Sequence, residues 1–250
     1  MDISIRLSTL LLALLLAVGF APRPHPGDWV PSPEPPAWAT GPDFNPGALL
    51  QDVRPSDWFY DYVRLGVRHG FVRGGDGRFE PHRPITRAEV VTMLARMHAA
   101  LGGVVLYEWA VELPYVDVSP RAHFVPYLVW ATELRIVEGN LEGEFQPDQP
   151  VTREELAVIL HRYMTAYSVY GHIEDRFYRH GRYQDWQQIA SWAYEAAHTL
   201  RNYELMTGTA RQHGTYTVYY FLPRDRASRA EAAVIFARVF EAVSDHRVAV

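Results

Sequence analysis

The chain has 250 residues, 48% hydrophobic and 21% charged, which is a globular composition and excludes a collagenous or wholly disordered polymer. Its 24 basic residues, all arginine, against 29 acidic ones leave a formal charge of −5, which argues against a broad nucleic-acid surface. With no cysteine, there are no disulfides, thiolate metal sites, cysteine nucleophiles or lipidated N-terminal cysteine.

Residues 1–21 read as an export signal. Arg6 precedes an unbroken run of Leu, Ala and Val from Leu10 to Val18. That run is shorter than the about 20 apolar residues a bilayer crossing needs, so no stable span is expected after cleavage. Cleavage after Gly19-Phe20-Ala21 or after Ala17-Val18-Gly19 stays open, and an uncleaved anchor is the competing reading. Residues 22–48 form a spacer, because nine prolines between Pro22 and Pro46 leave too few N–H donors for a helix or an interior strand.

From residue 49 onward a pattern occurs three times. An Asp stands at 52, 117 and 185, a Gly at 74, 139 and 208, and a Phe-x-Pro at Phe79, Phe145 and Phe221. Seven residues after each Phe comes a hydroxyl, Thr86, Thr152 or Ser228, followed by Arg87, Arg153 or Arg229 and then by Glu89, Glu155 or Glu231. Only the interval from Gly to Phe changes, being 5, 6 and then 13 residues, so the third unit has an enlarged loop over Thr209 to Tyr220. The units span 49–101, 113–166 and 182–243.

Each unit reads as helix, loop, helix. First helices are predicted over Trp58 to His69, Tyr127 to Leu134 and Ile189 to Leu200, the first with Phe59, Val63 and Val67 on one face. Gly70 and Gly74 are placed to stop the first of them. Second helices open on Ser/Thr-x-x-Glu, the capping box in which hydroxyl and carboxylate satisfy each other's backbone amides. Apolar residues then recur at i, i+3, i+4 and i+7, as in Val90, Met93, Leu94 and Met97. Three such stripes can bury one another around a pseudo-threefold axis.

The order Asp52-Val53, Trp58, Gly74, Gly75-Asp76-Gly77-Arg78-Phe79-Glu80-Pro81 and Ile85-Thr86-Arg87-Ala88-Glu89 resembles the S-layer homology (SLH) domain. The second unit keeps Asp117-Val118, Gly139, Phe145 and Val151 to Glu155; the third diverges, with Asp185-Trp186 and Ala227 to Glu231. The resemblance implies an all-α chain of three repeats in a pseudo-threefold prism around a central three-helix bundle. It also implies a secreted protein at the cell wall or cell surface. There it would bind an acidic, often pyruvylated, secondary cell-wall polysaccharide in grooves between repeats, with Arg87, Arg153 and Arg229 as main groove residues.

Chemistry supports those arginines independently, since a guanidinium pairs with a carboxylate through two parallel hydrogen bonds. At the first position of a helix it also sits where open backbone amides favour an anion. A cation there costs helix stability, so its threefold recurrence suggests use. The expected glycan-binding set adds Thr86, Thr152 and Ser228, and Gly74, Gly139 and Gly208. The glycines serve equally well as helix stops; Asp52, Asp117 and Asp185 can bond glycan hydroxyls or cap the next turn; and Trp58 and Trp192 can stack on a sugar face but read first as core. Arg96, Arg162 and Arg238, late in their helices, suit the helix dipole and read as structural.

No metal-ligand cluster, calcium loop, phosphate loop or nucleophile elbow occurs, and Glu174 and Asp175 lie in a linker. The expectation is therefore no enzyme, no cofactor and no metal. With a charge of −5, recognition must be local, and tightness must come from several grooves engaging one chain. The alternative is an envelope protein–protein module, for which an exposed apolar patch around Tyr216 to Phe221 would be the sign.

Overall fold

The computed structural model describes residues 50–103, 105, 113–169 and 182–248, so the signal and the spacer read from residues 1–48 lie outside the described residues. Six α-helices alternate as first and second helices of the three units: α1 (Tyr60–Arg68), α2 (Arg87–Ala100), α3 (Val125–Glu133), α4 (Arg153–Ala166), α5 (Tyr194–Asn202) and α6 (Arg229–Val248). The first helices begin two to five residues from, or two residues before, their predicted starts, and a 3₁₀ turn (Trp186–Gln188) precedes α5. Each first helix ends on a left-handed residue, Gly70 (φ 77°), Arg135 (φ 55°) or Glu204 (φ 57°), four positions before the recurring glycine.

Those glycines do not stop helices, which corrects the reading of Gly74, Gly139 and Gly208. A Cβ at Gly74 would stand 2.3 Å from the Arg78 carbonyl oxygen, at Gly139 2.6 Å from that of Glu144, and at Gly208 2.7 Å from that of Tyr220. Each glycine lets the chain pass close under the segment leading into its Phe. Directly beyond it, that segment turns back on itself: Gly75 bridges Arg78, the Asn140 amide donates to Glu144, and Thr209 pairs with Tyr220.

The enlarged third loop is an ordered hairpin, which adds a small sheet to the helices of the described residues. Strands β1 (Thr209–His213) and β2 (Tyr216–Tyr220) pair antiparallel from Thr209↔Tyr220 to His213↔Tyr216. Gly214, with φ 65°, opens the two-residue turn, and β-branched and aromatic residues fill β2. Four added residue pairs leave the base unchanged, so the unit keeps its fold.

Second helices pack against the first helix of the following unit: α2 on α3, α4 on α5, and α6 back on α1. At the centre, backbone hydrogen bonds close a ring. The Ile85 amide donates to Ala227, Ala227 to Val151, and Val151 to Ile85, at 2.9–3.0 Å. Apolar burial is correspondingly not confined to one stripe. Ala88, Val90, Val91, Met93, Leu94, Ala95 and Met97 of α2 are all buried, the mark of a helix enclosed on nearly every side.

Neighbouring glycines offer a sharp test of close approach. Gly74→Ala should destabilise the chain by about 1–3 kcal/mol, whereas Gly75→Ala, where a Cβ meets nothing within 4 Å, should change little. Urea unfolding of both variants checks this, and equal effects would refute it.

Candidate functional site

All three capping boxes form. Thr86 and Thr152 accept from the amides of Glu89 and Glu155, Ser228 accepts from that of Glu231, and each carboxylate returns to its cap amide. The next two amides of each second helix are also taken. Arg87 and Ala88 donate to Gln149 and Pro147, Arg153 and Glu154 to Asp225 and Pro223, and Arg229 and Ala230 to Arg83 and Pro81. The helix entrances therefore hold no open amides for an anion, contrary to expectation. Thr86, Thr152 and Ser228 are likewise engaged in capping.

The arginines at these entrances reach into the next unit. Arg87 Nε donates to the Phe145 carbonyl (2.7 Å), Arg153 Nε to that of Phe221 (2.6 Å), and Arg229 Nε to that of Phe79 (2.7 Å). Each guanidinium also lies over the ring of the same Phe, at 4.7, 5.8 and 5.1 Å. Asp52, Asp117 and Asp185 hold these loops from within the unit. Asp52 accepts from the amides of Phe79 and Glu80, Asp117 from Phe145 and Gln146, and Asp185 from Phe221 and Leu222. The second residue of each pair is left-handed, with φ of 56–57°, which turns two successive amides toward one carboxylate. These aspartates thus clamp Phe-x-Pro loops rather than cap the following turn.

The junctions differ in what remains free. Arg229 has every nitrogen engaged: besides the Nε bond, Nη1 pairs with Glu89 at 2.7 Å and Nη2 donates to Arg73 at 3.0 Å. Arg87 adds one bond from Nη2 to the Glu138 carbonyl and has no carboxylate partner among the described residues. Arg153 is buried and pairs through Nη1 with Glu231, while its Nη2 has no hydrogen-bond partner among the described residues.

That third junction contains a cavity of about 250 Å³, lined among others by Trp58, Arg153, Gly208, Thr209, Glu231 and Arg238. Trp58 is 61% exposed, so it is not core. Its position, one residue off the Phe59, Val63, Val67 stripe, was the available signal. Trp192, also exposed, holds the equivalent position in unit 3, directly before the residue that opens α5. Arg238 lies over the ring of Tyr62 (5.4 Å) and, among the described residues, makes only long contacts of 3.4–3.5 Å to Glu204, Leu205 and Thr207. Its counterpart Arg162 is neutralised by Glu138 at 3.1 Å, and the residue replacing Glu138 here is Thr207. This cavity thus combines two arginines against one carboxylate with an aromatic wall.

Electrostatics add a pH signature. Burial opposes the charge on Glu89, but hydrogen bonds from Arg83 and the Thr86 amide and the charge of Arg229 outweigh it, so its pKa lies below the ordinary 4.5. The Arg83 pKa is raised, chiefly by its hydrogen bond to Glu89, and the Arg229 pKa is lowered, chiefly by burial. A carboxyl depressed in the folded chain contributes fully above its unfolded value, and that contribution is lost as pH falls through the folded one. Glu89→Gln should therefore lower Tm at pH 7 and show a smaller further drop between pH 5 and pH 3. An equal drop in both proteins counts against it. Arg153→Ala, which leaves Glu231 without its partner, should cost about 3 kcal/mol in urea unfolding. A loss below about 1 kcal/mol would show that this pair is not an architectural tie.

Comparison with known proteins converges on one family. The family model for the S-layer homology domain matches residues 51–91 and 114–157. An endoglucanase of Bacillus sp. (strain KSM-635) is 26% identical over 78% of this chain and 19% of its own length. Cell surface glycoprotein 1 of Acetivibrio thermocellus is 33% identical over 40% of this chain and 4% of its own. The S-layer protein sap of Bacillus anthracis is 25% identical over 77% of this chain and 21% of its own. The chain spans about a fifth or less of the length of these relatives. The third unit, outside both matched stretches, repeats the capping box, the Asp clamp and the inter-unit arginine.

Proposed function

Because this chain belongs to the S-layer homology family, we propose that it is a non-catalytic anchoring module at the bacterial cell surface that binds an acidic secondary cell-wall polysaccharide. The finer assignment is a pyruvylated sugar held in the junction between units 2 and 3, closed on one side by unit 1. The observation that carries it is the cavity of about 250 Å³ where Arg153 and Arg238 meet exposed Trp58.

A ketal-linked pyruvate presents a carboxylate to the free Arg153 Nη2 and to Arg238, and two guanidiniums against Glu231 leave the pocket net positive. The tryptophan ring offers a flat apolar surface to the C–H face of a sugar. Gly208 lets the backbone lie close to the same space. Arg87 and Arg229 act first as ties between units in this reading, with Arg87 the less committed of the two. Units 49–101, 113–166 and 182–243 then form one binding body, with the segment before residue 49 as leader and spacer.

The protein–protein alternative has weaker support. Exposed large apolar side chains are spread over all three units, at Trp58, Val116, Leu141, Trp192, Tyr216 and Tyr219, and Phe221 is buried.

Sedimentation with purified cell walls tests the proposal. The protein should pellet with intact walls and stay in solution with walls stripped of their secondary polysaccharide. Trp58→Ala should weaken retention roughly fivefold, the loss of about 1 kcal/mol of aromatic contact, with Tm nearly unchanged. Undiminished binding to stripped walls would overturn the proposal.

A further inference from the structure

The hairpin of unit 3 has a definite sidedness. Residues directly opposite one another share a face, so Thr209, Arg211, His213, Tyr216, Val218 and Tyr220 stand on one side and Ala210, Gln212, Thr217 and Tyr219 on the other. The second side is turned toward the body of the unit: Arg201 lies 4.2 Å from the Tyr183 ring and 5.5 Å from that of Tyr219. The first side starts at Thr209, which lines the junction cavity. It continues outward through Arg211, stacked 4.8 Å over the Tyr220 ring, to His213 and Tyr216 at the tip. Tyr216 is 74% exposed.

Nothing in the fold requires this length. Unit 1 closes the same base with Gly75↔Arg78 and a two-residue turn through Asp76 and Gly77, and unit 2 with a three-residue turn at Asn140 to Glu144. An isolated two-stranded hairpin is marginal on its own, and here ten of its twelve residues are exposed. A face carrying an arginine, two tyrosines and a histidine, continuous with a cationic cavity, matches an anionic polymer with apolar sugar faces.

Resting on the glycan reading of the cavity, we propose that the face of β1 and β2 formed by Thr209, Arg211, Tyr216 and Tyr220 is a second subsite. It binds the sugar residues that follow the acid-bearing one along the same polysaccharide chain. Sugar rings stack on Tyr216 and Tyr220, and Arg211 serves a further carboxylate or hydroxyl. One chain held at both places gains affinity by the second contact being intramolecular. The hairpin then makes a single junction selective for polymer over isolated sugar.

Length-graded fragments of the wall polysaccharide provide the probe, with affinity read by calorimetry. Two full-length variants are needed: one with residues 210–219 replaced by the Asp-Gly turn of unit 1, which keeps Thr209 and Tyr220 at the base, and Arg211→Ala/Tyr216→Ala, which leaves the strands in place. The parent should bind fragments of three or more repeats at least tenfold tighter than the shortest acid-bearing fragment. Both variants should keep affinity for the shortest fragment within twofold and lose most of the gain with length. A gain that survives in both variants overturns the hairpin subsite and leaves the cavity reading intact. Failure of the parent to bind even the shortest fragment overturns both. Binding to polysaccharide-free walls that disappears with the hairpin assigns this face to a protein partner and overturns the proposal too.

Discussion

The architecture depends on closing a chain of three units into a ring. Three backbone hydrogen bonds among Ile85, Val151 and Ala227 join the points where each second helix begins. The arginine two residues later then reaches across to the carbonyl of the next unit's buried Phe. Every second helix is thereby both capped by its own hydroxyl and Glu and plugged by a neighbour's loop. No unit can bury its second helix alone, because the partner face belongs to the following unit. Stability of this kind is shared, and a defect at one junction is felt around the ring.

That arrangement gives the helix-entrance arginines a cause that precedes ligand binding. A guanidinium at the first helical position is unfavourable beside the helix dipole. Here it is compensated by a carbonyl, an aromatic face and, at two junctions, the capping Glu of the next unit. A role in recognition must use whatever donor capacity is left, and the ring leaves it unequally. Arg229 has all three nitrogens bonded across its junction, whereas Arg153 has no bond from Nη2 among the described residues and lines a cavity with Trp58 and Arg238. Small substitutions around a common frame, such as Thr207 in place of Glu138, turn equivalent junctions into chemically different ones.

Much of the frame was legible in the linear chain. Capping boxes announce themselves, since Thr86-x-x-Glu89 and its two counterparts are local motifs whose hydrogen bonds span three residues. The helices were legible for the same reason, within a few residues at each end. Asp52, Asp117 and Asp185 were found as recurring positions, but their bonds run 27 to 37 residues along the chain to amides, a distance over which spacing carries no geometry. The hairpin was visible only as extra length, although Gly214 ahead of the Thr- and Tyr-rich run from Thr215 to Tyr220 matches the turn chemistry observed.

By itself, then, the amino-acid sequence determined what is local and periodic: three units, their caps, their helices and the S-layer homology pattern that two of them match. Tertiary structure alone decided who pairs with whom. Whether an arginine is a tie or a free donor, and whether a tryptophan is core or wall, depends on atoms supplied by another unit. Trp58 and Arg153 are 95 positions apart and come together only because the ring closes.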